Sequence, residues 1–271
     1  MKDISHETRY GAAFIDLDDT LLGPDKKISP ENRQALGRLR EAGVEVVIAS
    51  GRHHRNISAL RPLATTGWVV SSNGSVVRHE QTGEVLAETY LDANLALHLG
   101  ARAREFGLSA IVYHGDGAFL EQPSEWTELY ARESGWLPRQ VRFPELDPSR
   151  HQKVIWAGHP DRMRELVGPM QAEYSARANV LGTNPELLEF FPRDVNKAVG
   201  AQALADRLKI SARRTLAFGD GSNDVELLRW AGLSVAMNHG RATAREAARL
   251  VTPPGPPESA FARGVAQVLA A

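Results

Sequence analysis

Short, solidly apolar runs alternate along this chain with longer stretches of helical periodicity. Ala12 to Leu17 is a compact apolar run that ends in a cluster of acids. Ser29-Pro30-Glu31 then opens a helix, because a Ser hydroxyl caps free N–H groups and Pro is tolerated in the first turn. Ala35, Leu36 and Leu39 give that helix an apolar face, and Gly43 is placed to end it. Val44 to Ala49 is a second apolar run, stopping at Ser50-Gly51-Arg52. Strand, helix, strand, with both strands nearly all apolar, predicts a parallel sheet covered on both faces.

Two short β-like pieces between Val69 and Val77 flank a turn at Ser71-Ser72-Asn73-Gly74. From about Leu86 to Glu189 the texture changes. Leu91 to Phe106 and Met163 to Ala178 read as helices, and Ala110 to Tyr113 and Val154 to Ala157 as strands. The stretch carries Trp126, Trp136 and Trp156 but no acid cluster at a strand end, and its size suits an inserted domain. The first pattern then returns, with a helix over Lys197 to Leu208 and a strand over Thr215 to Phe218. Gly219 through Asp224 follows, then a helix over Val225 to Trp230, a strand over Leu233 to Met237 and a helix over Ala242 to Ala248. Pro253 to Pro257 reads as a loop. The expected fold class is α/β: a doubly wound, mostly parallel sheet built from residues 1–85 and 190–271, with an α/β domain inserted at 86–189.

Composition narrows the chemistry. The 271 residues carry 32 basic and 33 acidic side chains, a net charge of −1 that provides no global field for nucleic acid or an anionic membrane. Absence of cysteine excludes thiol nucleophiles, zinc–thiolate sites and iron–sulfur clusters. Met1 to Tyr10 has no apolar stretch of signal-peptide length, and no run is long enough to span a bilayer, so a cytoplasmic location is expected.

Three apolar runs end in polar clusters: Asp16-Leu17-Asp18-Asp19-Thr20, Ser50-Gly51-Arg52, and Asp220 through Asp224. Ligands of open parallel sheets bind beyond the carboxyl ends of the strands, so this fold gathers the clusters at one edge. Carboxylates collected there repel one another unless a cation sits between them, and a hard, oxygen-liganded ion, Mg²⁺ foremost, fits the set. Alternation puts Asp16 and Asp18 on one side of an extended segment, where one can attack phosphorus while the other handles a proton. Each cluster alone also has a plain structural explanation. Asp favours turns and caps, Asn223 with Glu226 could form a capping box, and a Lys such as Lys197 near a helix start is ordinarily a solvated cation.

Taken in order, however, the clusters resemble the motifs of the haloacid-dehalogenase-like hydrolases. Asp16-Leu17-Asp18-Asp19-Thr20 matches the first motif, Ser50 the second, Lys197 the third, and Gly219-Asp220-Gly221-Ser222-Asn223-Asp224 the fourth. The long insertion after the second motif, Asn73-Gly74, and the segment Ala231 to Met237 are similar to the Cof-type subgroup, whose insertion is an α/β cap. The resemblance implies a Mg²⁺-dependent phosphatase. Asp16 would be nucleophile and metal ligand, and Asp18 general acid/base with its backbone carbonyl on the metal. Asp220 would be a further metal ligand, with Asp224 supporting the metal site. The Leu17 and Gly51 N–H groups, Ser50, Lys197 and Asn223 would hold the phosphoryl oxygens, and Thr20 would steady the acid loop.

Asp19 departs from the Gly commonest at its position, as do Ala198 after Lys197 and Asn238-His239-Gly240 in place of Asn-Ala. None of these is a motif residue with a chemical role. His114, Glu121, Trp126 and Arg132 are candidate contacts of the cap with the leaving group, although Trp126 and Trp136 also suit the cap's own core. The expected partner is a small phosphorylated metabolite, its identity open. Phosphotransfer to a sugar hydroxyl is an alternative on a similar site. A non-catalytic phospho-acceptor is another, and Asp18, two residues after Asp16, argues against it.

Overall fold

A computed structural model of the chain describes residues 9–57, 66–115 and 117–270, and the polar N-terminal segment 1–8 lies outside them. The first part contains β1 (Ala12–Ile15), α1 (Pro30–Glu41), β2 (Glu45–Ala49), the short α2 (His54–Ile57), β3 (Trp68–Ser71), β4 (Val76–His79) and β5 (Val85–Glu88). The insertion supplies α3 (Ala93–Glu105), β6 (Ser109–His114), β7 (Gly117–Leu120), α4 (Glu125–Ser134) and β8 (Arg139–Gln140). It continues with β9 (His151–Ala157), α5 (Pro160–Tyr174), β10 (Ala178–Gly182) and β11 (Leu187–Pro192). The last part is α6 (Lys197–Arg207), β12 (Thr215–Gly219), α7 (Val225–Trp230), β13 (Leu233–Ala236), α8 (Ala242–Ala247), β14 (Leu250–Val251) and α9 (Ala260–Ala270).

These strands form two sheets. The larger has the order β14-β13-β12-β1-β2-β3-β4-β5, parallel from β14 to β3 and antiparallel at the β4 and β5 edge. Burial on both faces explains the solid apolar runs. In β1, Ala13 and Ile15 point to one core with Leu36 of α1 and Phe261 of α9, whereas Ala12 and Phe14 point to another with Leu204 of α6 and Leu227 of α7. Helix α1 begins as its sequence dictates: Ser29 accepts the Asn32 N–H at 3.1 Å, and Gly43 leaves in the left-handed region with φ of 72°.

The second sheet, β10-β11-β9-β6-β7-β8, is the inserted cap. Helices α3 and α5 cover one face through Leu95, Leu99, Met163 and Leu166. The other face, with Tyr113, Tyr130 of α4 and Leu187, turns toward the first sheet. Sheet membership places the two crossings after Glu88 and after Pro192. Strand β5 continues the β4 ladder past the expected 85/86 boundary, and β11 stays paired with β9 and β10 past 189/190. The helix expected to reach Ala178 ends at Tyr174, because the chain must turn there to start β10. Among the described residues, no helix is long and apolar enough to cross a membrane.

Candidate active site

The parallel order β12-β1-β2 sets the carboxyl ends of three strands side by side, with Asp16 after β1, Ser50 after β2 and Asp220 after β12. The chain proceeds to one side of β1 through β2 and later returns on the other side through β12. Beyond the strand ends at such a switch point lies the crevice where open α/β sheets bind ligands. Lys197 is brought in by the first residue of α6, whose start is capped by the Asn196 side chain accepting the Val199 N–H at 3.0 Å. Gly74 makes that placement feasible: its φ is 96°, and a Cβ there would sit 2.1 Å from the Asn196 carbonyl oxygen.

Lys197 is fully buried and donates to Asp16 Oδ1 at 2.5 Å and to Asp224 Oδ1 at 2.6 Å. The other Asp224 oxygen accepts the backbone N–H groups of Asp220 and Gly221 at 3.0 and 2.9 Å. Both oxygens of Asp224 are thus engaged in holding the Asp220 loop and the lysine. Thr20 ties the acid loop to the same place, donating to Asp220 Oδ1 at 2.8 Å. Asp19 sits in the left-handed region with φ of 57°, a conformation that glycine adopts freely and Asp tolerates.

Asp18 faces the same cavity as Asp16 but has different partners. Arg52 grips it with two parallel bonds, Nε to Oδ2 and Nη2 to Oδ1, each 2.7 Å, and Lys26 Nζ lies 3.2 Å from Oδ1. Leu17 between them is buried in the core, and its carbonyl accepts the Leu22 N–H. Ser50 is 1% exposed, and its Oγ accepts the Arg52 N–H at 3.1 Å. Gly51 packs so closely that a Cβ would meet Asn73 Oδ1 at 2.7 Å. Asn223 donates to that same Asn73 oxygen at 3.1 Å instead of capping α7, and Glu226 pairs with Arg229.

Burial and charge split the two acids. Desolvation, then the nearby Asp224 carboxylate, push the Asp16 carboxyl well above the usual carboxylate range despite Lys197. Desolvation and Asp224 likewise push Asp220 up to about 7. Burial alone would also raise Asp18, but the Arg52 guanidinium holds it below its ordinary value. Lys197 is raised, since Asp16 and Asp224 outweigh its own desolvation, and it stays charged.

One carboxylate oxygen from each of Asp16, Asp220 and Asp224 lies within 4.8 Å of the other two. Three largely buried carboxylates face one buried ammonium, an excess of negative charge that a divalent ion would balance, and a donor set of oxygens alone suits a hard cation.

A family model described as haloacid dehalogenase-like hydrolase matches residues 13–269. The chain belongs to this family. This hydrolase is 28% identical over 233 residues to an HMP-PP phosphatase of Serratia proteamaculans (strain 568), across 85% of its own chain and 84% of the relative. It superposes on the crystal structure of a haloacid dehalogenase-like hydrolase from Bacteroides thetaiotaomicron with a TM-score of 0.83. Identity there is 25%, with coverage of 96% of this chain and 99% of the other. A sugar phosphatase of HAD subclass IIB shares the fold at a TM-score of 0.80 and 21% identity, covering 96% and 99% of the two chains.

Sequence reasoning missed several residues of the hydrolase's cavity, which has a volume of about 320 Å³. Its cap wall includes Tyr113, Tyr130, Glu133, Ser134, Asn184 and Glu189, with Leu187 and Pro185 as apolar neighbours, and none of His114, Glu121, Trp126 or Arg132 lines it. Glu121 is occupied by Arg104 and the Phe143 N–H. Trp126 and Trp136 pack on the apolar cluster around Tyr113, and Trp136 also lies 4.9 Å from the His53 ring of the core. The missed signal was a charge inside an apolar strand: Glu189 stands between Leu187-Leu188 and Phe190-Phe191, and Lys153 precedes Val154-Ile155-Trp156.

The raised carboxyls give a pH dependence whose sign is determined. Asp220 binds its proton more tightly folded, at about 7, than at its ordinary 3.8. The metal-free protein therefore loses stability as pH rises through that interval. If Asp220 is a ligand, a divalent ion would displace this proton, and its affinity, measured by calorimetry, is expected to rise with pH through the same interval. A flat profile between about pH 5 and 8 would contradict the assignment of Asp220 as a ligand.

Proposed function

We propose that this enzyme, a phosphatase, hydrolyses small phosphomonoesters through an aspartyl-phosphate on Asp16, with Mg²⁺ as its metal. The observation that carries the reading is the opposite treatment of two acids on one cavity wall. Asp16 is buried against Lys197, while Asp18, two residues on, is held ionised by Arg52. Lys197, with a divalent ion at the three carboxylates, would hold Asp16 ionised for attack against the pull of burial, while Asp18, outside the lysine's reach, is left to carry the proton.

In the first step an Asp16 oxygen bonds to phosphorus, the ester P–O bond breaks, and Asp18 gives a proton to the leaving oxygen. In the second, water attacks phosphorus, Asp18 takes its proton, and the acyl–phosphate bond breaks to release phosphate and restore Asp16. The Arg52 pair favours the base half of this cycle, and the acid half requires Arg52 to loosen its grip when the ester arrives. Lys197, Ser50, Asn223 and the N–H groups of Leu17 and Gly51 hold the phosphoryl oxygens. The carboxylates of Asp16 and Asp220 and the Asp18 carbonyl, with Asp224 in support, would hold Mg²⁺, which would supply charge neutralisation of the phosphoryl group.

The polar cap wall, with the hydroxyls of Tyr113, Tyr130 and Ser134 beside Asn184, suits a small hydroxylated or heterocyclic leaving group. The names of the relatives, an HMP-PP phosphatase and a sugar phosphatase, belong to the same chemical range. Phosphate release from a panel of phosphorylated metabolites, with Mg²⁺ and with EDTA, tests the reading. Metal-dependent release is expected, and no release from any ester would overturn it.

Asp18→Asn is expected to lower kcat by about 10²- to 10⁴-fold. Mg²⁺ affinity should survive, because the ligand at this position is a backbone carbonyl. Calorimetry on the variant checks this, and complete loss of binding would remove that role from residue 18.

A further inference from the structure

Lys153 lies in the middle strand region of the cap, paired with Tyr113 across β9 and β6, yet its side chain is 1% exposed. Its Nζ reaches out of the cap into the core. It donates to the Gly51 carbonyl at 2.8 Å and to Glu189 Oε2 at 2.8 Å, and stands 4.8 Å over the Tyr113 ring. Glu189 Oε2 also accepts Asn73 Nδ2 of the core at 2.8 Å. A buried ion pair costs desolvation on both sides, so one that also bridges two sheets through complementary bonds is a device for fixing geometry.

The bonds continue from this pair to the phosphate holders. The peptide whose carbonyl receives Lys153 is the one joining Gly51 to Arg52, and the N–H of that same peptide donates to Ser50 Oγ at 3.1 Å. Lys153 therefore fixes the plane that orients the Ser50 hydroxyl, which, having accepted this N–H, has its own proton to give to a phosphoryl oxygen. On the other branch, Glu189 holds the Asn73 side-chain amide, whose oxygen accepts Asn223 Nδ2 at 3.1 Å. Asn73 itself is held in the left-handed region with φ of 57°, and its N–H donates to the Ser50 carbonyl at 3.1 Å.

We propose that Lys153 and Glu189 are positioning residues, carried by the cap, that complete the phosphate-binding loop of the core. Neither touches the phosphoryl group. They act through Gly51 and Asn73, so the loop has its working geometry only while the cap is seated. This inference rests on the phosphatase reading above, and it makes cap closure part of phosphate binding and not only a shield for the leaving group.

Inorganic phosphate is the discriminating probe, since it has no leaving group for the cap to contact. The variants are K153M, E189Q and K153M/E189Q, the double carrying no unpaired buried charge. The single K153M leaves Glu189 without its cation and is expected to melt early, while the double recovers most of the wild-type melting temperature. In the refolded double, kcat/KM and the calorimetric affinity for inorganic phosphate with Mg²⁺ are both expected to fall by about 10²-fold. A merely structural pair would leave phosphate affinity of the double within about twofold of wild type, and that result overturns the proposal. Wild-type protein that neither turns over esters nor binds phosphate would overturn the phosphatase reading itself, and this inference with it.

Discussion

Asp16→Asn will abolish turnover, lowering kcat by about 10⁴-fold or more, while leaving the fold intact. An amide oxygen still accepts from Lys197 at the 2.5 Å position, so the local packing has a neutral substitute for the carboxylate. The charge that disappears is one that crowds Asp220 and Asp224, and its loss relieves repulsion that raises the Asp16 carboxyl in the parent. Melting of the metal-free variant is therefore expected at or above the wild-type temperature. Activity and melting curves measured together separate chemistry from folding. Wild-type-like turnover in the variant would remove Asp16 as the nucleophile.

Lys197→Met carries the largest expected loss of stability together with a loss of activity. The methionine fills much of the same volume but leaves Asp16 and the fully buried Asp224 without their shared cation. Breaking a buried pair from one side costs about 3–5 kcal/mol. For a chain of this size that corresponds to a melting temperature lower on the order of 10 °C. Asp16, already pushed upward by burial, answers by taking up a proton, so the deficit should shrink as pH falls. Turnover should fall about 10²- to 10³-fold at temperatures where the variant is folded, since a phosphate donor has been lost. A variant that melts with wild type would show that the Asp16–Lys197–Asp224 cluster contributes nothing to the fold.

The parts of this enzyme that were legible in its sequence are those governed by local rules. Solid apolar runs marked β1, β2 and β12, and the residues just past each of them are the ones the structure gathers at one edge. Asp16, Ser50 and Asp220 could be read because strand ends in a parallel sheet share one rim, whereas Lys197, at the start of α6, could be read only from the order of the motifs. The cap was harder. Its strands belong to a mostly antiparallel sheet that closes over a second core, and only Ser175 to Arg177 separate α5 from β10. Helix α4 and the C-terminal α9 were also missed. The first has a short apolar face, and the second follows a proline-rich loop whose last residue, Pro257, opens a single tight turn.

The cavity wall was hidden for a different reason. A charged residue in an apolar strand has no local meaning until its partner is known, and Lys153 and Glu189 are 36 positions apart. The pairing of Asp18 with Arg52 was likewise invisible, because it depends on how two strand-end loops face each other across the crevice. Long-range polar pairs carry the part of the site that spacing alone does not encode.

The central claim, that Asp16 takes up the phosphoryl group, is tested most directly by trapping it. The enzyme is quenched with borohydride during steady-state turnover of its best ester, which reduces an acyl phosphate to the alcohol, and the peptides are sequenced by mass spectrometry. Homoserine at position 16, absent without substrate and absent in Asp16→Asn, is the expected result. Sustained turnover with position 16 unmodified, or with the reduced residue found elsewhere, would contradict the account.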